Sequence, residues 1–167
     1  MTEADILLPI RQLLSEDHVQ VDGVSVGTLG KAPGAYVLLM HLPVCVPFAR
    51  RNIAAGTLSG WLVYVGSARG GGGIGARLRR HFRKDKAVHW HVDELTNVAA
   101  RMIALAVPGG TECAIVDRLI RSGLFETALA GFGSSDCRRC EAHLLRPAGL
   151  DWPASPEQAP GRGGVST

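Results

Sequence analysis

The sequence has no uninterrupted apolar stretch long enough to span a membrane. Its opening, Met1 to Ile10, lacks a basic region followed by an apolar core, so no secretory leader is expected. Only four cysteines are present, too few on their own to imply a disulfide framework. A cytoplasmic protein with reduced thiols is therefore the expectation. No internal repeat is visible. Net charge is only +3, so the molecule as a whole is not a polycation. Tyrosine is scarce: there are two, Tyr36 and Tyr64, both in apolar runs.

What is present is unevenly placed. Arg69, Arg77, Arg79, Arg80, Arg83, Lys84 and Lys86 fall in one short segment opposed only by Asp85. Such a patch suits a polyanion such as nucleic acid, although a solvated helix face has the same composition. Gly70 to Gly73 sit at its start, where a backbone can pass close to a bulky group and offer its amides to an anion. They are not a nucleotide-binding P-loop, because the Gly-Lys-Ser/Thr ending is missing.

Residues 4–18 carry apolar residues at helical spacing, and Pro9 inside that pattern predicts that the helix begins there. Residues 19–26 alternate valine with polar residues and predict a strand. Residues 34–40 predict a buried strand, which Pro43 and Pro47 should end, and 56–59 predict a turn. A second strand follows over 61–65, antiparallel to the first. A helix over 74–82 and a strand over 100–107 come next. Residues 89–95 are ambiguous: a strand would align His89, His91 and Asp93, and a helix would pair His89 with Asp93. Thr111 can cap a helix that runs through Ile120 and stops at Gly123. The fold class is α/β of the α+β type, a small, mainly antiparallel central sheet flanked by helices. Residues 1–26 form an N-terminal helical extension, 27–147 the domain proper, and 148–167 a disordered tail rich in Pro, Gly and Ser.

Gly34-Ala35-Tyr36, then Tyr64-Val65-Gly66, then a helix with Arg77 and His81, a third strand, and a helix opened by Glu112 occur in that order. The order resembles the GIY-YIG nuclease superfamily. His89-Trp90-His91-Val92-Asp93, Glu112-Cys113, Phe132 to Cys137, and Cys140 to His143 are similar to its Uri-type branch. The resemblance spans roughly 27–146. It implies a metal-dependent endonuclease acting on DNA or a structured nucleic acid. It also implies one magnesium or manganese ion on Glu112, Tyr36 as general base, and Arg77 on the scissile phosphate. Non-cleaving nucleic-acid binding and a zinc-stabilised adaptor are the rival readings.

Each residue also carries a plain structural reading. A phenol with a pKa near 10 is a poor base, so Tyr36 needs a neighbour to take its proton, and His81 is the candidate. Otherwise Tyr36 is a core tyrosine. Tyr64 would orient the water or a phosphate oxygen. Arg77 and His81, four residues apart, share a helix face. Arg69, Arg79, Arg80, Arg83 and Lys84, with the backbone at Gly71 and Gly72, would meet neighbouring phosphates. Glu112 can instead be a carboxylate favoured at a helix N-terminus. Cys137-x-x-Cys140-x-x-His143 has zinc-like spacing but supplies three ligands, with Cys113, His89 or His91 as candidates for the fourth. Buried thiols and a capping histidine are the alternative. Ser134 to Asp136 line the cleft or form a turn.

Overall fold

The structure is a computed structural model and describes residues 1–15 and 17–149. Among these described residues four α-helices flank a six-stranded, wholly antiparallel sheet, the α/β class expected. The strands are β1 (Val19–Val21), β2 (Gly34–Arg50), β3 (Ile53–Ala68), β4 (Arg101–Pro108), β5 (Phe125–Thr127) and β6 (Leu144–Pro147). Their spatial order is β1-β4-β2-β3-β6-β5. The helices are α1 (Glu3–Leu13), α2 (Gly73–Phe82), α3 (His91–Val98) and α4 (Glu112–Arg121).

Strict alternation on the central strands makes two cores. Ala35, Val37 and Leu39 of β2, with Ile103, Leu105 and Val107 of β4, meet Ile6, Leu7 and Ile10 of α1 and Ile115, Val116 and Leu119 of α4. Tyr36, Leu38 and Met40, on the other face of β2, meet Ile74 and Leu78 of α2 and Val92 and Leu95 of α3. The sheet is thus sandwiched between two helix layers. Residues 1–26 supply both α1, packed on one face, and the edge strand β1 paired with β4.

Local punctuation differs from expectation at four places. The helix α1 does not wait for Pro9. Thr2 and Asp5 form a reciprocal cap, the Asp5 amide donating to Thr2 Oγ1 at 3.3 Å and the Thr2 amide to Asp5 Oδ2 at 2.6 Å. Pro9 then costs one backbone bond, to the carbonyl of the exposed Asp5. The strand β2 runs through Pro43 and Pro47 because β4 pairs with it only as far as His41. Beyond that point one side of β2 is a free edge, where a missing donor is tolerated. The hairpin turn lies at Arg51–Asn52, with Asn52 at φ 64°, and Gly56 to Ser59 are inside β3. Of residues 19–26 only the first three are strand, and Ser25–Thr28 form a 3₁₀ turn. The expected disordered tail lies outside the described residues beyond Gly149.

One glycine in β3 positions the site. Tyr36 pairs directly with Gly66, and a Cβ on Gly66 would collide with the Tyr36 ring and hydroxyl. The phenol therefore lies flat across the neighbouring strand. Gly66→Ala should lower stability by about 1–3 kcal/mol through overpacking. Urea unfolding would show this as a lower midpoint at unchanged slope. An unchanged midpoint would mean the ring has room to move.

Candidate functional site

A cleft of about 530 Å³ opens where the sheet meets α2, α3 and α4. Tyr36, Tyr64, Arg69, Arg77, Trp90 and Glu112 line it, with His89, His91, Ser135, Asp136, Cys137 and His143. Short segments far apart in sequence meet there. The tyrosines come from β2 and β3, and their ring centroids are 6.4 Å apart. Arg77 comes from the middle of α2. Glu112 is the first residue of α4, and although Thr111 precedes it as N-cap, the threonine side chain makes no capping bond.

His81, one turn after Arg77, lies behind the cleft and is fully buried. Its Nε2 is 2.8 Å from the Tyr36 hydroxyl, and its Nδ1 has no hydrogen-bond partner. Burial pulls the His81 pKa from 6.5 down to about 4, against the opposing pull of the Asp93 carboxylate. Burial, with the neighbouring Tyr64, holds the Tyr36 phenol well above its ordinary value. Burial and the Glu112 charge push Tyr64 to about 12. At neutral pH the pair is therefore a neutral phenol on a neutral imidazole.

The basic segment divides in two. Arg69 and Arg77 face the cleft. The Arg77 guanidinium lies 4.5 Å from the centre of the Trp90 ring and makes no hydrogen bond or ion pair among the described residues, so its donor fork is unspent. The other cations serve the fold. Arg79 donates to the carbonyl of Leu29 at 3.0 Å. Arg80 pairs with the buried Asp93 at 2.7 Å, bonds the carbonyl of Ala87 and also packs on Trp90. Lys84 donates to the carbonyls of Thr96, in the last turn of α3, and of Ala99, just past it. Lys86 is buried on Thr96, Asn97 and the carbonyl of Arg83. Arg79, Arg80 and Lys84 are thus not brought to the cleft. Arg83 is exposed at the end of α2. Gly71 and Gly72, with Arg77 and Trp90, line a second, shallower groove beside the cleft. Of the four glycines Gly73, at φ 62°, is the one whose backbone angle also favours glycine, and any side chain there would strike the backbone of Lys31 and Ala32; a Cβ on Gly72 would strike Ala76.

Residues 89–95 turn out to be a helix start. Asp93 accepts from the amides of His89 and Trp90 at 2.9 and 3.0 Å. Burial would raise its pKa, but those amides and Arg80 outweigh it and keep the carboxyl below the ordinary range. Asp93 is a buried anchor of α3 rather than a ligand. His91 packs its ring on Phe48 and Phe132. Trp90 belongs to the His89–Asp93 motif of the sequence but carries no role there; its other signal is an aromatic just beyond a basic run.

The metal-capable group among the described residues is Cys113, Cys137, Cys140 and His143. One donor atom from each lies within 4.8 Å of all the others. Cys113, in the first turn of α4, supplies the fourth position, and His89 and His91 stand outside the group. Three sulfurs and an imidazole suit zinc. Burial pushes the Cys113 and Cys140 thiols up. It acts on Cys137 too, but the amides of Arg139 and Cys140 outweigh it there and bring that thiol down to about 6. Glu112 is not part of the group, so the donor geometry gives the expected magnesium no support. Its Oε2 lies 3.6 Å from His143 Nδ1. Ser135 and Asp136 face the cleft, and Ser134 donates to the carbonyl of Glu141 at 3.1 Å.

An antiparallel sheet between two helix layers, with a polar cleft where it meets α2, α3 and α4, defines a mixed α/β domain. The family described as Domain of unknown function DUF123 matches residues 35–154, well over half of the chain, and the chain belongs to that family. This corrects the resemblance to the GIY-YIG superfamily and its Uri-type branch, since the family that matches is a distinct one. Part of that resemblance has a packing cause: the glycine of Tyr64-Val65-Gly66 makes room for the Tyr36 ring. No curated protein and no solved structure matches the chain. Among the described residues, no helix is long and apolar enough to cross a membrane.

The buried His81 makes the fold sensitive to acid. The unfolded chain takes up this proton near pH 6.5 and the folded one near 4. Below about pH 6.5 the unfolded state therefore binds more protons, and stability falls as pH drops towards 4. The loss should reach about 2–3 kcal/mol between about pH 7 and about pH 4.5. Urea unfolding at both pH values should show it, and His81→Gln should flatten it. An equally steep dependence in His81→Gln would assign the effect to other groups.

Proposed function

We propose that the cleft hydrolyses phosphodiester bonds in nucleic acid, DNA or a structured form of it. The observation that carries this reading is the Tyr36 hydroxyl, 2.8 Å from His81 Nε2, under a cleft that also presents Tyr64, Arg77 and Glu112. Hydrolysis needs a water stripped of its proton and a fixed charge on the phosphate. A phenol held this far above its ordinary pKa does not act as a stored phenolate. With Nε2 bare, it can take the proton of an attacking water while its own proton passes to His81. Negative charge gathering on the phosphate would favour that transfer to the imidazole. Tyr64 would orient the water, and the unspent fork of Arg77 would bind two phosphate oxygens. Arg69, exposed at the mouth, would hold a neighbouring phosphate.

The reading includes a hard divalent cation, magnesium or manganese, with Glu112 as its single protein ligand. Such ions often take one or two carboxylates and complete their shell with phosphate and water, and Glu112 faces the cleft with no second acid required. The ion would neutralise charge on the phosphate and the departing oxygen. A cytoplasmic location belongs to the same reading, and the free thiols of Cys113, Cys137 and Cys140 fit it.

The test offers the full chain duplex, single-stranded and branched DNA and RNA, with magnesium or manganese. Cleavage of at least one substrate, dependent on the added cation, is expected. Arg77→Ala and Glu112→Gln, still folded by circular dichroism, should each lose on the order of 10²–10³ in single-turnover rate. Binding without cleavage of any substrate would replace this reading with a non-cleaving module. Variants as fast as wild type would move the chemistry elsewhere.

A further inference from the structure

We propose that Cys113, Cys137, Cys140 and His143 bind one structural zinc ion, and that this ion fixes the cleft wall that carries Glu112. The inference does not rest on the hydrolase reading. It rests on the spacing, on the surroundings of one sulfur, and on the two nitrogens of His143.

The four donors come from two parts of the chain, α4 and the segment before β6, and already lie within 4.8 Å of one another. Tetrahedral zinc, with Zn–S of about 2.3 Å and Zn–N of about 2.0–2.1 Å, places two sulfurs about 3.8 Å apart and a sulfur and a nitrogen about 3.5 Å apart. Cys113 Sγ and Cys137 Sγ are 3.4 Å apart, so a small outward shift of one thiol completes the sulfur spacing. The separation is far beyond a disulfide bond of about 2.05 Å.

Cys137 Sγ is surrounded as a thiolate would be. The amides of Arg139 and Cys140 both point to it, at 3.4 and 3.3 Å. Two N–H donors on one sulfur favour its charged form, which is the form that binds a metal. The turn from Cys137 to Cys140 is in this sense already set for an ion.

His143 is 2% exposed, and its Nε2 has no hydrogen-bond partner. A buried nitrogen left in that state is costly. Nε2 is the atom left free for the ion. Nδ1–H then faces Glu112 Oε2, now 3.6 Å away. A carboxylate behind a metal-bound histidine fixes the ring and makes it a stronger ligand. Four protein donors leave no open position for water or substrate, so the ion holds structure and does no chemistry. It ties the first turn of α4 to the segment 133–143, and both line the cleft. The soft donor set excludes magnesium and calcium.

The experiment uses the full chain purified without chelator. Elemental analysis should find one zinc per chain. Replacement by cobalt should give the strong visible bands of a tetrahedral, thiolate-rich site. Competition with a chromophoric chelator should show Glu112→Gln binding zinc about 10–100-fold more weakly. Cys140→Ser should lose the metal. Removing zinc from the wild type should speed amide hydrogen exchange over 131–143 and the first turn of α4. Three results would each overturn the proposal: substoichiometric zinc after growth in added zinc, an octahedral cobalt spectrum, or unchanged exchange after removal. Equal zinc affinity in Glu112→Gln would overturn the link to the cleft wall. Because no readout is cleavage, a zinc-loaded chain that cuts nothing counts against the hydrolase reading alone.

Discussion

The register of β2 against β3 is the constraint on which the rest of the site depends. Tyr36 opposes Gly66 and Leu38 opposes Tyr64, so both phenols project from one face of the sheet. Sliding either strand by one residue would send its tyrosine to the α1 and α4 side, where Ala35, Val37 and Leu39 now pack. Ile74 and Leu78 bury α2 against the same face as the tyrosines, and that packing delivers His81 to Tyr36 and turns Arg77 into the cleft. The pairing is also well defended. The central strands are apolar on both faces, so a slip by an odd number of residues would place a tyrosine in a core built for smaller side chains.

The basic segment is divided by partners that sequence distance hides. Arg80 neutralises Asp93, whose carboxylate organises the start of α3, and Trp90 at that start supports Arg77. Removing Arg80 would leave a buried charge without its partner, so this residue is a structural one. One fixed chain of contacts, Asp93 to Arg80 to Trp90 to Arg77, therefore ends in a single unspent guanidinium. On the opposite wall the Cys₃His group stands directly behind Glu112. Each wall of the cleft thus has its own support.

Much of the fold was legible where one force dominated. The apolar runs at 34–40, 61–65 and 100–107 are strands, and the helical spacing at 74–82 holds to within a residue. Three misreadings come from treating proline and glycine as punctuation. Pro43 and Pro47 sit on a free edge, and Pro9 follows a helix start already secured by Thr2 and Asp5. Gly56 lies within β3, while the turn is made by Asn52. In the site, spacing was enough to place Arg77 and His81 on one helix and to find Cys137, Cys140 and His143. The fate of Arg79 and Lys84 was not legible, because their partners are backbone carbonyls at Leu29, Thr96 and Ala99, and every residue type carries a carbonyl.

The central claim is that the Tyr36–His81 pair activates a water for attack on a phosphodiester. Tyr36→Phe tests it most directly, because it removes one buried hydroxyl and leaves the ring over Gly66. The measurement is single-turnover cleavage at saturating protein, alongside equilibrium binding of the same substrate. The account predicts a rate lower by on the order of 10²–10³, within the range for loss of one proton-transfer group, at nearly unchanged affinity. A Tyr36→Phe protein that cleaves at the wild-type rate once saturated would contradict it.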